Sequence, residues 1–206
     1  VADGRTTLFA GTAPAALYTS YDLGESWEEV KAIQDVPGSG DWTFIPPPHF
    51  AHVKHVVFHP NEPDTYFVLI EQGALLKTID DGSSFVEIDS YSNPNDRQWK
   101  EVHRLLIHPA DPKLMYLATG EGLYRTRDGG ESFMNVHHRG QRVGYPEFLY
   151  FDPSDHKSIF MAGSHLNPTE WFKDGIAEST ILKSSDQGEN WSEQNAGFPD
   201  PVIGAF

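Results

Sequence analysis
One eleven-residue pattern occurs four times in this chain and constrains its fold more than any other feature. The copies occupy residues 17–27, 75–85, 123–133 and 181–191, and each reads apolar-apolar-x-[Ser/Thr]-x-Asp-x-Gly-x-x-[Trp/Phe]. The aspartates are Asp22, Asp80, Asp128 and Asp186, at intervals of 58, 48 and 58 residues. That period suits one four-stranded unit per repeat. A second signal precedes three copies at a matching distance: Val-Val-Phe-His-Pro at 56–60, Leu-Leu-Ile-His-Pro at 105–109 and Leu-Tyr-Phe-Asp-Pro at 149–153. Each is followed by a turn rich in Asp, Pro or Asn and a further apolar run, at 65–70, 114–118 and 158–162. A unit therefore reads as strand A ending at His/Asp-Pro, strand B, strand C leading into the Asp turn, and strand D beginning at the aromatic. No helical period is evident anywhere.

The residue types in the turn have physical reasons. An Asp carboxylate accepts hydrogen bonds from backbone N–H groups of a tight turn, and Ser or Thr adds a second local acceptor. Gly24, Gly82, Gly130 and Gly188 supply a backbone angle that other residues resist. The aromatics Trp27, Phe85, Phe133 and Trp191 are expected to pack beneath the turn. Asp80 and Asp81 together suggest a cation site, but recurrence of the Asp in every unit favours a structural role for all four. His59 and His108 belong to the A–B turn and are expected to shape or cap it.

These motifs resemble the Asp-box, or BNR-repeat, β-propellers, a superfamily that includes sialidases, xyloglucanase-type glycoside hydrolases, sortilin-like receptors and photosystem-II-assembly-factor-like proteins. The resemblance covers essentially the whole chain and implies an all-β fold of four-stranded antiparallel blades, about four of them. As a single propeller domain over residues 1–206, the expected blades are 1–48 (lacking its own strand A), 50–98, 99–142 and 143–199, with 200–206 starting a further strand A. Two closures follow: residues 201–206 pair with 6–10 in a four-bladed ring, or the chain is about two-thirds of a six- or seven-bladed parent. Some 50 residues per blade favours the second, with open edges covered by a partner chain or another copy of itself.

Topology separates two faces. The Asp turns and His/Asp-Pro turns share one; the longer, less repetitive segments 31–51, 89–100, 137–144 and 163–179 fall on the other, and irregular loops on a rigid scaffold are the usual home of function. Trp42, Trp99 and Trp171 lie in these loops, with Phe44, Phe50 and Phe172 nearby, and suit stacking on sugar rings or a partner protein; anchoring the loops is their alternative role. Strand A begins at the innermost part of a propeller. Alignment on the His/Asp-Pro turns puts His52, Glu101 and Tyr145 at one level and Lys54, His103 and Glu147 two residues further in, with His55 and Arg104 between. This polar cluster is the candidate ligand pocket.

Three chemistries could use it. Glu101 and Glu147 could act as acid and base in glycoside hydrolysis. His52, His103 and Glu147 could hold a divalent metal. Otherwise the cluster is a wet channel whose charges pair with one another. No cofactor motif is present, so none is expected.

Composition narrows the partners. Fifteen Lys and Arg against thirty Asp and Glu give a formal charge of −15, which repels nucleic acid and anionic membranes. No apolar run is long enough to cross a bilayer, and no cysteine is available for disulfides or thiolate sites. The chain begins at Val1 without a signal-peptide pattern, so the compartment stays open. The arginines are Arg5, Arg97, Arg104, Arg125, Arg127, Arg139 and Arg142. They form no cluster of the kind a sialidase uses for its substrate carboxylate. The catalytic aspartate pair of xyloglucanase-type enzymes and the cysteine-rich module of sortilin-like receptors are likewise unmatched. The leading expectation is a ligand-binding propeller of unassigned specificity, with a carbohydrate or protein ligand, that acts through the face opposite the Asp turns. A glycoside hydrolase and a protein-interaction or assembly scaffold are the alternatives.

Overall fold
The computed structural model describes residues 6–96 and 100–199. The chain divides into two compact units, Val1–Asp89 and Ser90–Phe206. Each is built from antiparallel sheets whose strands lie in chain order.

The first unit holds two sheets. One has three strands among the described residues, β1 (Leu8–Gly11), β2 (Leu17–Ser20) and β3 (Glu28–Glu29). The other has four: β4 (His52–Phe58), β5 (Tyr66–Glu71), β6 (Ala74–Thr78) and β7 (Val86–Ile88). Strand β5 reads Tyr-Phe-Val-Leu-Ile-Glu and is buried on both faces, which is why it shows a continuous apolar run instead of alternation. Tyr66, Val68, Ile70 and Leu76 form the core together with Leu17 of β2. Each apolar side chain so buried contributes roughly 1.5–3 kcal/mol. The 31–51 segment is partly ordered as two short 3-10 helices, Lys31–Asp35 and Ser39–Asp41, because Ile33 and Val36 drop into that same core.

The second unit holds two four-stranded sheets: β8 (Val102–Ile107), β9 (Met115–Thr119), β10 (Gly122–Thr126) and β11 (Met134–His138), then β12 (Tyr145–Phe151), β13 (Ile159–Ser164), β14 (Thr180–Ser184) and β15 (Ser192–Glu193). Tyr116, Ala118 and Leu123 of one sheet share a core with Leu149, Met161 and Leu182 of the other. The strand order A-B-C-D and the placement of each Asp motif between strands C and D agree with the sequence pattern.

One expectation is corrected. The 163–179 insertion is not wholly irregular: it contains a helix, α1 (Pro168–Asp174). Its signals are local. The Asn167 side chain accepts from Thr169 N, Pro168 takes the first turn, and Gly175 ends the helix at φ 70°. Seven residues are too few to display a 3.6-residue period, so the periodicity search passes over it. No described helix is long and apolar enough to cross a membrane.

Candidate functional site
The four Asp turns share one hydrogen-bond scheme. In each, a Ser or Thr hydroxyl two residues before the Asp donates to its Oδ1, at 2.8, 2.7, 2.6 and 2.8 Å in chain order. The backbone N–H four residues on donates to the same oxygen, from Ser26, Ser84, Ser132 and Asn190, at 2.9 to 3.0 Å. Those four residues also donate from their side chains to Oδ2. The Ser/Thr oxygen meanwhile accepts from the glycine N–H. The Ser26 and Asn190 bonds hold the Asp22 and Asp186 carboxyls down at about 2, and the same kind of bond lowers Asp80 and Asp128. At Gly82, φ is 85° and a Cβ would strike the Tyr66 hydroxyl, so both the angle and the close approach require glycine. Asp81 stands outside this scheme, and burial, with Asp64 and Asp80 as like-charged neighbours, raises its carboxyl.

The A–B turns are capped from their own residues. His108 Nδ1 accepts from the N–H groups of Ala110 and Asp111 at 3.3 and 3.0 Å, and His59 Nδ1 accepts from Asn61 at 3.4 Å. Asp152 does the same for Ser154 at 2.9 Å. Acceptance at Nδ1 places the proton of each neutral imidazole on Nε2.

At the start of strand A the pattern is different. The β4–β5 ladder shifts register between Val53 and His55, the β8–β9 ladder between Val102 and Arg104, and the β12–β13 ladder between Pro146 and Phe148. The residues skipped are Lys54, His103 and Glu147, the three that alignment on the Pro turns places at one level. A bulge re-aims the side chain it carries, and these three strands place theirs at one register position.

In the first unit, Lys54 Nζ donates to Glu71 Oε1 at 3.0 Å and His52 Nε2 lies 2.7 Å from Glu71 Oε2. Glu71 is buried, so the sheet encloses a carboxylate between two basic groups that stay about a quarter exposed, at 26% and 28%. Sequence reading missed Glu71 because it ends the apolar run of β5. Its pairing with His52 across the ladder is the signal that finds it. Trp42 is half-buried against this unit's core, over Gly73, and so acts as a loop anchor. His55 pairs its backbone with Leu69.

In the second unit, Glu101 and His103 are both buried. The Tyr145 hydroxyl donates to Glu101 Oε1 at 2.6 Å, and His103 Nδ1–H donates to the Pro146 carbonyl at 2.6 Å. His103 Nε2 then faces Glu101 Oε1 at 3.8 Å, an ion-pair distance, and its ring stacks tilted on Tyr145 at 4.7 Å. Tyr145 in turn meets Trp171 edge-on at 5.8 Å. Arg104 lies over the Tyr150 ring at 5.3 Å, and Glu147 is half-buried at its bulge. Trp171 belongs to α1, and its Nε1–H donates to the Leu166 carbonyl at 2.5 Å, which fixes the indole. It lines a pocket of about 340 Å³ with Leu166, Ile176 and Ala177, to which Glu170, Glu178 and His165 add polar groups. The pocket lies at the end of β14 away from Asp186. Geometry thus joins Glu101, His103, Tyr145 and Trp171 in one chain of contacts, while Trp99 lies outside the described residues, as do Arg5, Arg97 and the 201–206 segment. The metal candidates divide between the units: His52 is engaged with Glu71, and His103 gives its Nδ1 proton to a carbonyl, leaving Nε2 as its donor atom.

Elsewhere in this unit, His137 is 4% exposed, meets Trp191 edge-on at 5.9 Å and has an Nε2 without a hydrogen-bond partner among the described residues. Burial, with a smaller effect from His138, brings its imidazole down to about 4.

Comparison with known proteins places this geometry in a fold. The class is a β-propeller. A crystal structure of an ancestral GH74 enzyme superposes with a TM-score of 0.73 at 13% identity, covering 97% of this chain and 25% of that one. The GH74 xyloglucanase from Xanthomonas campestris gives 0.61 at 19%, covering 95% and 29%. Among curated proteins, a vacuolar protein sorting/targeting protein 10 of Fusarium vanettenii is 31% identical over 111 residues, 54% of this chain and 6% of that protein. No family model matches the chain. The chain spans little more than a quarter of the enzymes it superposes on and a small fraction of the curated relative. At such identities the likeness defines the blades and leaves the activity to the site.

Proposed function
We propose that the chain is a ligand-binding propeller of the Asp-box type, acting through the face opposite its Asp turns, and that its ligand is a carbohydrate. One observation carries the reading: the Trp171 pocket, with the indole held by the Leu166 carbonyl and backed by Tyr145 and the buried Glu101. A fixed aromatic beside apolar walls and a few polar groups suits the C–H face and hydroxyls of a sugar ring. The Asp turns offer no such place, since each carboxylate is engaged within its own turn.

A panel of neutral oligosaccharides titrated by calorimetry and tryptophan fluorescence tests this. Binding is expected, and Trp171→Ala should weaken it at least about tenfold; a panel without a binder, or binding indifferent to that change, overturns the reading. A glycoside hydrolase is the second reading, favoured by one feature: the buried carboxyl of Glu101 is bonded to Tyr145, which packs on Trp171, and glycoside hydrolysis uses carboxyl groups beside the sugar. Release of reducing ends from the same panel, lost in Glu101→Gln and Glu147→Gln, separates it from simple binding. Capture of a protein without any glycan binder would instead favour the scaffold alternative.

A further inference from the structure
A second cleft in the Ser90–Phe206 unit differs from the Trp171 pocket in both wall and chemistry. It measures about 540 Å³, within the size range of roughly 300–1,000 Å³ typical of small-molecule sites. The 90–96 segment forms one wall and β10 and β11 the other, with Glu121 of the β9–β10 turn at the end of β10 away from Asp128.

Its floor is aromatic and braced. Tyr91 is buried and sets its ring edge-on against Tyr124 at 6.3 Å and Phe133 at 6.2 Å. The half-buried Tyr124 thus has a fixed ring with an accessible part in the cleft. The wall charges are compensated locally: Arg139 Nη1 pairs with Glu121 Oε1 at 3.2 Å, and Asn135 Nδ2 donates to the Glu121 carbonyl at 3.1 Å. A smaller chamber with several of the same lining residues has both Lys100 and Asp96 in its walls. On the facing wall Asn93 closes a turn, accepting from Asp96 N through its carbonyl and from Asn95 N through its side chain.

An ion entering this cleft meets acidic and basic side chains together, Glu121 being already paired with Arg139, and an apolar molecule would strip water from the amides and hydroxyls without replacing their hydrogen bonds. A polyol meets neither penalty. Each hydroxyl donates and accepts, and the C–H face of a sugar ring can lie on tyrosine. We infer that the cleft bounded by Tyr91, Tyr124 and the Glu121–Arg139 pair is a second binding site, selective for a neutral saccharide of one or two units. It shares the ligand class of the proposed function but none of its residues, so the two fail separately.

Amide NMR of the full chain, titrated with cellobiose, xylobiose and maltose and then with glucosamine and glucuronate, is the test. A neutral sugar should shift the amides of Asn93, Asp96 and Asn135. Tyr124→Ala should weaken that response at least about tenfold, and Trp171→Ala should leave it unchanged. Tyr124 also packs on Tyr91, so the exposed His138 at the cleft edge provides a second variant, and His138→Ala should weaken binding about threefold or more. Three outcomes overturn the inference: no shift at those amides with any neutral probe, tighter binding of either charged sugar, or a response that survives both cleft variants. Loss of the response in Trp171→Ala alone would assign it to the other pocket and also overturn it.

Discussion
Carboxylates at the two ends of the blades are held in opposite ways. Asp22, Asp80, Asp128 and Asp186 are each satisfied by donors at the same offsets, all within seven consecutive positions. Glu71 and Glu101 are buried and satisfied differently: one by a lysine and a histidine, the other by a phenol with a histidine at ion-pair distance. Uniform local satisfaction makes a turn that any blade can carry. Individual, long-range satisfaction makes an environment peculiar to one blade, and chemistry can differ there without changing the frame.

Acid titration should break the comparison most visibly. With the His137 imidazole held at about 4 against an ordinary 6.5, the unfolded chain binds that proton first, so stability is full above pH 6.5 and falls as pH drops toward 4. At about 1.4 kcal/mol per unit the loss reaches roughly 3 kcal/mol. The Asp turns act lower: their contribution is present above the ordinary 3.8 and is lost as pH falls through about 2. Melting temperatures from pH 8 to 2 should show two stages, and His137→Leu should erase the upper one alone. A single stage unaffected by that change would unseat His137.

A smaller effect compares the two glutamates. Glu71→Gln removes the carboxylate shared by Lys54 and His52 and should cost roughly 2–3 kcal/mol in urea unfolding, below the usual penalty for a broken buried pair because both bases are partly solvated. Tyr145→Phe removes one neutral donor from Glu101 and should cost roughly 1–2 kcal/mol. Equal losses would erase the distinction between an ionic and a phenolic hold. Smallest of all, Asp128→Ala should lower the melting temperature by only about a few degrees and leave glycan binding unaltered, since its bonds are exposed and confined to one turn.

What the sequence discloses follows the same division. The Asp turns can be read in it because donors, acceptor and glycine sit within seven consecutive residues. Strands A to C can be read because β5 and β9 are apolar runs bounded by turn residues. Alignment on the Pro turns also finds Lys54, His103 and Glu147, since a constant distance to the turn is a one-dimensional property. Glu71 cannot be found that way: its partners lie 17 and 19 positions away along the chain and meet it only through the β4–β5 register. The Tyr91–Tyr124 cleft is hidden for the same reason. Its walls are separated by whole strands, and no local pattern marks them.

The three bulges at the start of strand A act as a common socket with different fittings. The backbone takes the same irregularity at each, yet it presents an ammonium, an imidazole and a carboxylate in turn. Because the irregularity belongs to the ladder and not to the side chain, an exchange at the half-buried positions 54 or 147 changes the chemistry on offer with less disturbance to the architecture than one at the buried, hydrogen-bonded His103. Such positions are where a repeat protein diversifies by substitution without rebuilding, and where an engineer would begin.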